Sequence, residues 1–250
     1  MKTLVCLHGF TGSEATWYDL ADDLQDVHII AFNLYGHGKN HMEERYTMED
    51  QIDAIHRALA DVPSFALMGY SMGGRTALCY AAKYPEKITQ LFLESASPGL
   101  KKASERAARR VQDEKLACML EHEGLIAFVD YWQDIALFHT QKQLSTERQQ
   151  QIRTERLSHE ASGLAMSLRC VGTGSQPSMW GVLPYLQMPV TLLTGALDDK
   201  FCVIAEKMLK KMQNAKHIIV EGAGHAIHVE KSKQFATIVE EELFNKEEAF

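Results

Sequence analysis

A basic surplus is the first thing this sequence lacks. Its 26 lysines and arginines are outnumbered by 33 aspartates and glutamates, a formal net charge of −7. No global positive field therefore draws it to nucleic acid or to anionic lipid. Paired cysteines are missing too. Cysteines stand at 6, 79, 118, 170 and 202, far apart, odd in number and without a C-x-x-C. That pattern writes neither a disulfide framework nor a zinc site and suits a reduced, cytoplasmic protein. Long apolar runs are absent as well. The Leu4–Leu7 run stops at His8-Gly9, short of the roughly 7–15 residues of a secretory leader. Nothing approaches the ~18 apolar residues of a membrane span, so no membrane association is expected. With no repeat, heptad or edge-strand signature, a monomer or weak homo-oligomer is expected.

What remains is an ordinary globular composition, 46% apolar and 24% charged over 250 residues, enough to bury a core without staples. Short apolar runs at Leu4–Leu7, His28–Phe32, Ser64–Met68 and Ile88–Leu93 read as buried strands. Thr47, with Asp50 three residues on, forms an acidic capping box ahead of Ile52, Ile55 and Leu59 at helical spacing, and Ala77–Ala82 lies in a further helix. From about Leu100 to Pro184 the strand-like runs vanish and the sequence turns helical, polar and glutamine-rich. Strands return at Val190–Thr194 and His217–Val220, with helices over Cys202–Met212 and Val229–Phe244. This alternation predicts an α/β fold, a mainly parallel sheet covered on both faces. The core spans 1–99 and 185–250, interrupted by a helical cap at 100–184. Helices inserted there lie over the sheet's carboxyl edge, where open α/β sheets bind ligands.

Gly69-Tyr70-Ser71-Met72-Gly73 matches G-x-S-x-G between an apolar strand and a helix-compatible segment. A sharp strand-to-helix turn forces its serine into a strained conformation, and a Cβ two residues to either side would clash with the crossing chain. Such an elbow requires an acid and then a histidine further along. Asp198, the first carboxylate past the strand Val190–Thr194, is preferred to Asp199. His225 follows on the glycine loop Glu221-Gly222-Ala223-Gly224, with the reach a general base needs. The backbone N–H groups of Phe10, after the first strand, and of Met72 would form an oxyanion hole, with His8 bracing the loop. His28, His56, His122, His139, His159 and His217 read as surface or strand-end residues. His225 and His228 have the spacing of a metal pair, but no further ligand completes a set, so no metal is expected.

His8-Gly9-Phe10, Gly36-His37-Gly38, the elbow and Gly222-Ala223-Gly224-His225 are similar to the α/β-hydrolase-fold superfamily over essentially the whole chain. The resemblance implies that family's sheet, helices on both faces and inserted helical lid. One departure is Asn33, where many members carry Asp; its expected effect is local. Within the insertion, Ser97-Pro98-Gly99-Leu100, Ala107-Ala108-Arg109, Trp132 with Leu137-Phe138, and Gly172-Thr173-Gly174-Ser175-Gln176-Pro177-Ser178-Met179-Trp180 resemble the MenH family, as does Asp198-Asp199-Lys200-Phe201. That family eliminates pyruvate from 2-succinyl-5-enolpyruvyl-6-hydroxy-3-cyclohexene-1-carboxylate (SEPHCHC). The product is 2-succinyl-6-hydroxy-2,4-cyclohexadiene-1-carboxylate (SHCHC), on the route to menaquinone. The resemblance implies carboxylate-binding arginines at Arg75, Arg109 and either Arg156 or Arg153, with Tyr70 and Trp132 beside the substrate.

Read from the residues alone, Arg106, Arg109 and Arg110 share a helical face at i, i+3 and i+4. Asp113, four residues after Arg109, equally fits a solvated, salt-bridged face. Guanidinium forks bind carboxylates bidentately, which suits the small tricarboxylate that the resemblance implies. Trp132, Trp180 and Phe201 fit either pocket walls or ordinary core. The implied reaction is a lyase step with Ser71, activated by His225 and Asp198, acting as base, and no cofactor is needed because the succinyl ketone is the electron sink. The same triad fits a serine carboxylesterase or thioesterase working through an acyl-enzyme, so the triad alone does not choose.

Overall fold

Strands that are apolar on both faces are stable only in a sheet covered twice, and the computed structural model shows how this chain does so. It describes every residue except 41, 43 and 245–250. The strands are β1 (Lys2–Leu7), β2 (Val27–Phe32), β3 (Phe65–Tyr70), β4 (Ile88–Glu94), β5 (Val190–Gly195) and β6 (Ala215–Val220). All pairings are parallel, in the order β2-β1-β3-β4-β5-β6. The order reverses direction between β1 and β3, which opens a crevice at their carboxyl ends.

Side chains alternate across this sheet. Val5, Leu7, Phe65, Leu67, Leu91 and Leu192 pack against α2 (Met48–Ala58), α3 (Met72–Lys83) and α8 (Asp199–Leu209). Leu4, Cys6, Ala66, Met68, Phe92 and Leu193 face the other way, onto α1 (Tyr18–Asp23), α9 (Ile227–Glu230) and α10 (Ser232–Phe244). Each fully buried leucine or phenylalanine contributes about 1.5–3 kcal/mol. Thr47 caps α2 with the reciprocal Asp50 bonds that the sequence predicts.

One local expectation needs correcting. The closing helix is not continuous from Val229: the backbone leaves helical geometry at Lys231, separating α9 from α10. Good helix formers on both sides hide that break. The short helix α1 and the 3-10 turn before it, Glu14–Trp17, which Ser13 caps, offer too few apolar positions to show a period. Asn33 has the local role expected of it, its side-chain oxygen accepting from the Glu14 amide.

Between β4 and β5 the chain forms α4 (Ala103–His122), α5 (Gly124–Gln133), α6 (Thr146–Leu157) and α7 (Ala161–Val171), with a 3-10 segment at Ala136–Gln143. These helices have a small core of their own, including Leu120, Phe128, Val129, Leu164 and Leu168, against which Phe10 and Trp132 pack. The insertion meets the main body where two glycines let backbones touch. A Cβ on Gly163 of α7 would stand 2.7 Å from the carbonyl of Gly36, and one on Gly36, whose φ is +78°, would stand 2.3 Å from the carbonyl of Gly163. Gly163→Ala should therefore lower stability by about 1–3 kcal/mol despite its better helix propensity. Thermal unfolding followed by circular dichroism should show a drop of several degrees; an unchanged or higher midpoint would contradict this contact.

Candidate active site

The elbow is built by close backbone crossing. Ser71 has φ +50° and ψ −104°, a conformation that costs a non-glycine residue roughly 1–3 kcal/mol. Its neighbours hold it there. The Ser71 amide donates to the Glu94 carbonyl of β4 at 2.9 Å, and the Ser71 carbonyl accepts from the Arg75 amide at 3.0 Å. A Cβ on Gly73 would lie 2.1 Å from the Leu7 carbonyl, and one on Gly69 would lie 2.4 Å from the Gly73 carbonyl. The serine is thereby thrust up at the carboxyl end of β3, with α3 running away beneath it.

The other members arrive on loops after β5 and β6. Asp198 caps α8, accepting from the Phe201 amide, and its second oxygen accepts from His225 Nδ1 at 2.6 Å. That fixes the imidazole tautomer, so Nε2 is free to accept from the Ser71 hydroxyl at 3.0 Å. Asp198 and His225 are buried, whereas Asp199 is exposed. Rings of Phe201, Tyr70 and Phe138 lie 4.6, 5.4 and 6.2 Å from the His225 ring. The His225 loop is held by Glu230, whose carboxylate accepts from the amides of Gly224 and Ala226. Glu230 went unnoticed in the sequence, although an acid five residues past the histidine at a short helix was a visible signal. His228 belongs to another arrangement: its Nδ1 and backbone amide donate to the buried Glu94.

Phe10 and Met72 both line the cavity beside Ser71. Met72 opens α3, so its N–H is one that no carbonyl of the helix can take. The Phe10 loop rests on three buried imidazoles. His8 Nε2 accepts from the Leu34 amide at 3.0 Å while Nδ1 donates to the Gly9 carbonyl at 2.7 Å. His159 Nδ1 accepts from the Gly38 amide at 3.0 Å while Nε2 donates to the Thr11 carbonyl at 2.9 Å. The ring of His37 lies 4.9 Å from His8 and 5.5 Å from His159. Burial pushes His8 down to about 3 and holds His37 and His159 below the usual imidazole range. His159 is thus no surface residue; its partners come from loops distant in sequence, which no local pattern reveals.

A cavity of about 440 Å³ lies over the triad and also meets Tyr70, Arg75, Arg109, Trp132, Trp180 and Phe201. An adjoining lobe of about 660 Å³ shares Arg109, Trp132 and His225 with it. The three arginines differ. Arg75 is buried, with Nη1 donating to the Val171 carbonyl and to Gln176 Oε1. Arg109 Nε donates to Asp113 at 2.7 Å and its side chain remains one-third exposed. Arg156 is buried one layer back, its guanidinium 4.7 Å from the Phe138 ring and bonded to Gln141. Arg153 instead pairs with Asp130, and neither it nor Arg156 lines either lobe. Arg106 and Arg110 do not join Arg109 as a single charged face, because they donate to the carbonyls of Leu100, Lys101 and Gly174. The indole N–H of Trp132 is buried without a protein acceptor among the described residues.

Residues 2–232 match the family model described as the alpha/beta hydrolase fold. A protein of Bacillus subtilis (strain 168), provisionally named 2-succinyl-6-hydroxy-2,4-cyclohexadiene-1-carboxylate synthase, is 40% identical, the match covering 97% of this chain and 90% of that protein. The synthase of that name from Enterobacter sp. (strain 638) is 28% identical, covering 91% and 86%. The structure of MenH from S. aureus superposes with a TM-score of 0.92 at 37% identity, covering 95% of this chain and 91% of that one.

The histidine cluster carries a pH signature. Above pH ~7 the imidazoles are neutral whether the chain is folded or not. As pH falls below about 6.5 the unfolded chain takes up protons that the folded one refuses, so stability is lost by about 1.4 kcal/mol per pH unit for each such histidine. For His8 the loss continues down to its folded value of about 3. Urea midpoints should fall steadily from pH 7 to 5, and His159→Gln should flatten the slope. A midpoint independent of pH in this window would show that these imidazoles are not buried neutral.

Proposed function

Because the chain belongs to the α/β-hydrolase-fold family and, within it, to the SHCHC synthases, we propose that Ser71, His225 and Asp198 serve proton abstraction rather than acyl transfer. The enzyme is a carbon–oxygen lyase of menaquinone biosynthesis that eliminates pyruvate from SEPHCHC to form SHCHC. No helix among the described residues is long and apolar enough to cross a membrane. We read it as a cytoplasmic enzyme, a monomer or weak homo-oligomer acting on a small tricarboxylate, with 100–184 as the cap over its site.

The step follows from the chemistry of that substrate. The carbon beside the succinyl ketone carries an acidic hydrogen. Ser71 Oγ takes that proton as its own hydroxyl proton passes to His225 Nε2, and Asp198 stabilises the imidazolium that forms. The electron pair delocalises onto the ketone oxygen, where the N–H groups of Phe10 and Met72 would each contribute about 2.7–4 kcal/mol. Collapse of the enolate moves the ring double bond and breaks the carbon–oxygen bond. The released enolpyruvate is then protonated to pyruvate, so atoms and charge balance without a cofactor.

One observation favours elimination on an anion over hydrolysis of a neutral ester: two buried guanidinium groups near the triad, Arg75 and Arg156, have no hydrogen-bonded carboxylate partner among the described residues. A buried unpaired cation is costly, and a substrate carboxylate offsets that cost. Arg75 and Arg109 would hold carboxylates at the wall. Arg156 adds its charge from behind Phe138 and Tyr70, and Trp132 supplies a free donor.

Pyruvate release from enzymatically generated SEPHCHC, coupled to NADH oxidation, tests this reading. Ser71→Ala should lower kcat about 10²–10⁴-fold, as for loss of one proton-transfer group. A loss near 10⁶-fold, with turnover of simple esters or thioesters by the parent, would instead mark an acyl-enzyme. Arg75→Ala and Arg109→Ala should each lower kcat/KM for SEPHCHC while leaving any hydrolysis of a neutral ester nearly unchanged. If neither variant slows pyruvate release, the carboxylate clamp is wrong.

A further inference from the structure

The buried arginines are tethered differently from several nearer the surface. Arg169 lies against Glu114 and Glu121, Arg153 against Asp130 and Arg148 against Asp19, all carboxylates. Arg75 and Arg156 meet carboxamides instead. Arg75 Nη1 donates to Gln176 Oε1 at 3.1 Å and to the Val171 carbonyl at 2.8 Å. Arg156 Nη2 donates to Gln141 Oε1 at 3.0 Å. The glutamines are themselves buried, Gln176 at 1% and Gln141 at 7% exposure.

The nearby acids bond other groups and act on these two guanidinium groups only through space. Asp113 accepts from Arg109, and Glu155, next in sequence to Arg156, accepts from the Ser13 amide and from the hydroxyls of Ser13 and Thr16. A carboxamide oxygen accepts the same hydrogen bond as a carboxylate oxygen but brings no negative charge. A carboxylate is the usual companion of a buried arginine, and at both positions the chain has its neutral isostere. Burial lowers both guanidinium groups to about 10, so each remains charged at neutral pH.

We propose that Gln176 and Gln141 are positioning residues that set specificity, fixing two buried guanidinium groups while leaving their positive charge uncancelled for the substrate's carboxylates. This rests on the tricarboxylate reading above. A glutamate at either place would hold its arginine at least as well, yet would fill the charge that the substrate is meant to fill. Holding and neutralising are separable by substitution, and that separation provides the test. Gln176→Glu keeps shape and acceptor but adds a charge, whereas Gln176→Met keeps neutrality and loses the acceptor.

Two measurements on the intact enzyme decide the matter: pyruvate release from SEPHCHC, and calorimetric binding of propane-1,2,3-tricarboxylate. With charge decisive, Q176E stays folded with an undiminished melting temperature, loses about 10–100-fold in kcat/KM, chiefly through KM, and loses tricarboxylate binding. Q176M loses less than about tenfold and still binds. If the glutamine is only a mechanical tether, the ranking inverts, Q176M being the damaged variant and Q176E close to the parent, and the proposal is overturned. Gln141→Glu and Gln141→Met repeat the comparison at Arg156 should a Gln176 variant fail to fold. A parent that binds tricarboxylate with this ranking but releases no pyruvate would uphold the tether and overturn the elimination reading. A parent that does neither overturns both.

Discussion

Everything in the site depends on one crowded crossing, where the turn out of β3 passes the carbonyl of Leu7. Only glycine fits at 69 and 73, and the clearance they provide lets Ser71 sit at φ +50° instead of relaxing into the helix. The strain is local; the restraint is the sheet. β1 and β4 flank β3, with the Ser71 amide tied to Glu94 of β4, so the serine cannot move without disturbing three strands. The same crossing brings the loop after β1 beside the start of α3, which is why Phe10 and Met72 border one cavity with Ser71.

Around that fixed point the protein combines two environments that are separately unfavourable. The triad is enclosed by aromatic rings, and the Phe10 loop stands on imidazoles kept neutral by burial. Low polarity there strengthens each hydrogen bond to a developing enolate. Cationic groups are pressed against this apolar enclosure, Arg75 on the wall and Arg156 behind Phe138. Their charge has few local competitors in the same medium that makes it effective. A chain of net charge −7 can thereby attract an anion to one place.

The insertion supplies much of the lining of the cavity above the serine. Its helices carry Arg109, Trp132 and Arg156, and the segment leading from it back to the sheet carries Gln176 and Trp180. The triad comes entirely from loops of the sheet. Core and insertion thus both line the cavity, Arg75 and Tyr70 from the core and Arg109 and Trp132 from the insertion. They meet where Phe10 packs edge-on against Trp132, with ring centroids 5.3 Å apart.

The sequence by itself determined the alternation that makes a doubly covered parallel sheet, the capping of α2 and the elbow at Ser71. It also determined the order of acid and histidine, because period, glycine spacing and turn chemistry act over a few neighbouring residues. Even Asp198 over Asp199 could be argued from distance past the strand. Tertiary structure alone separated the surroundings of Arg156 and Arg153, turning one toward Gln141 and the other toward Asp130. It decided that His159 is buried and that Arg106 and Arg110 part company with Arg109. It also placed Gln176 and Gln141 against the buried arginines. Most of these contacts join groups 15 to 148 residues apart and are fixed by packing, which no local periodicity records.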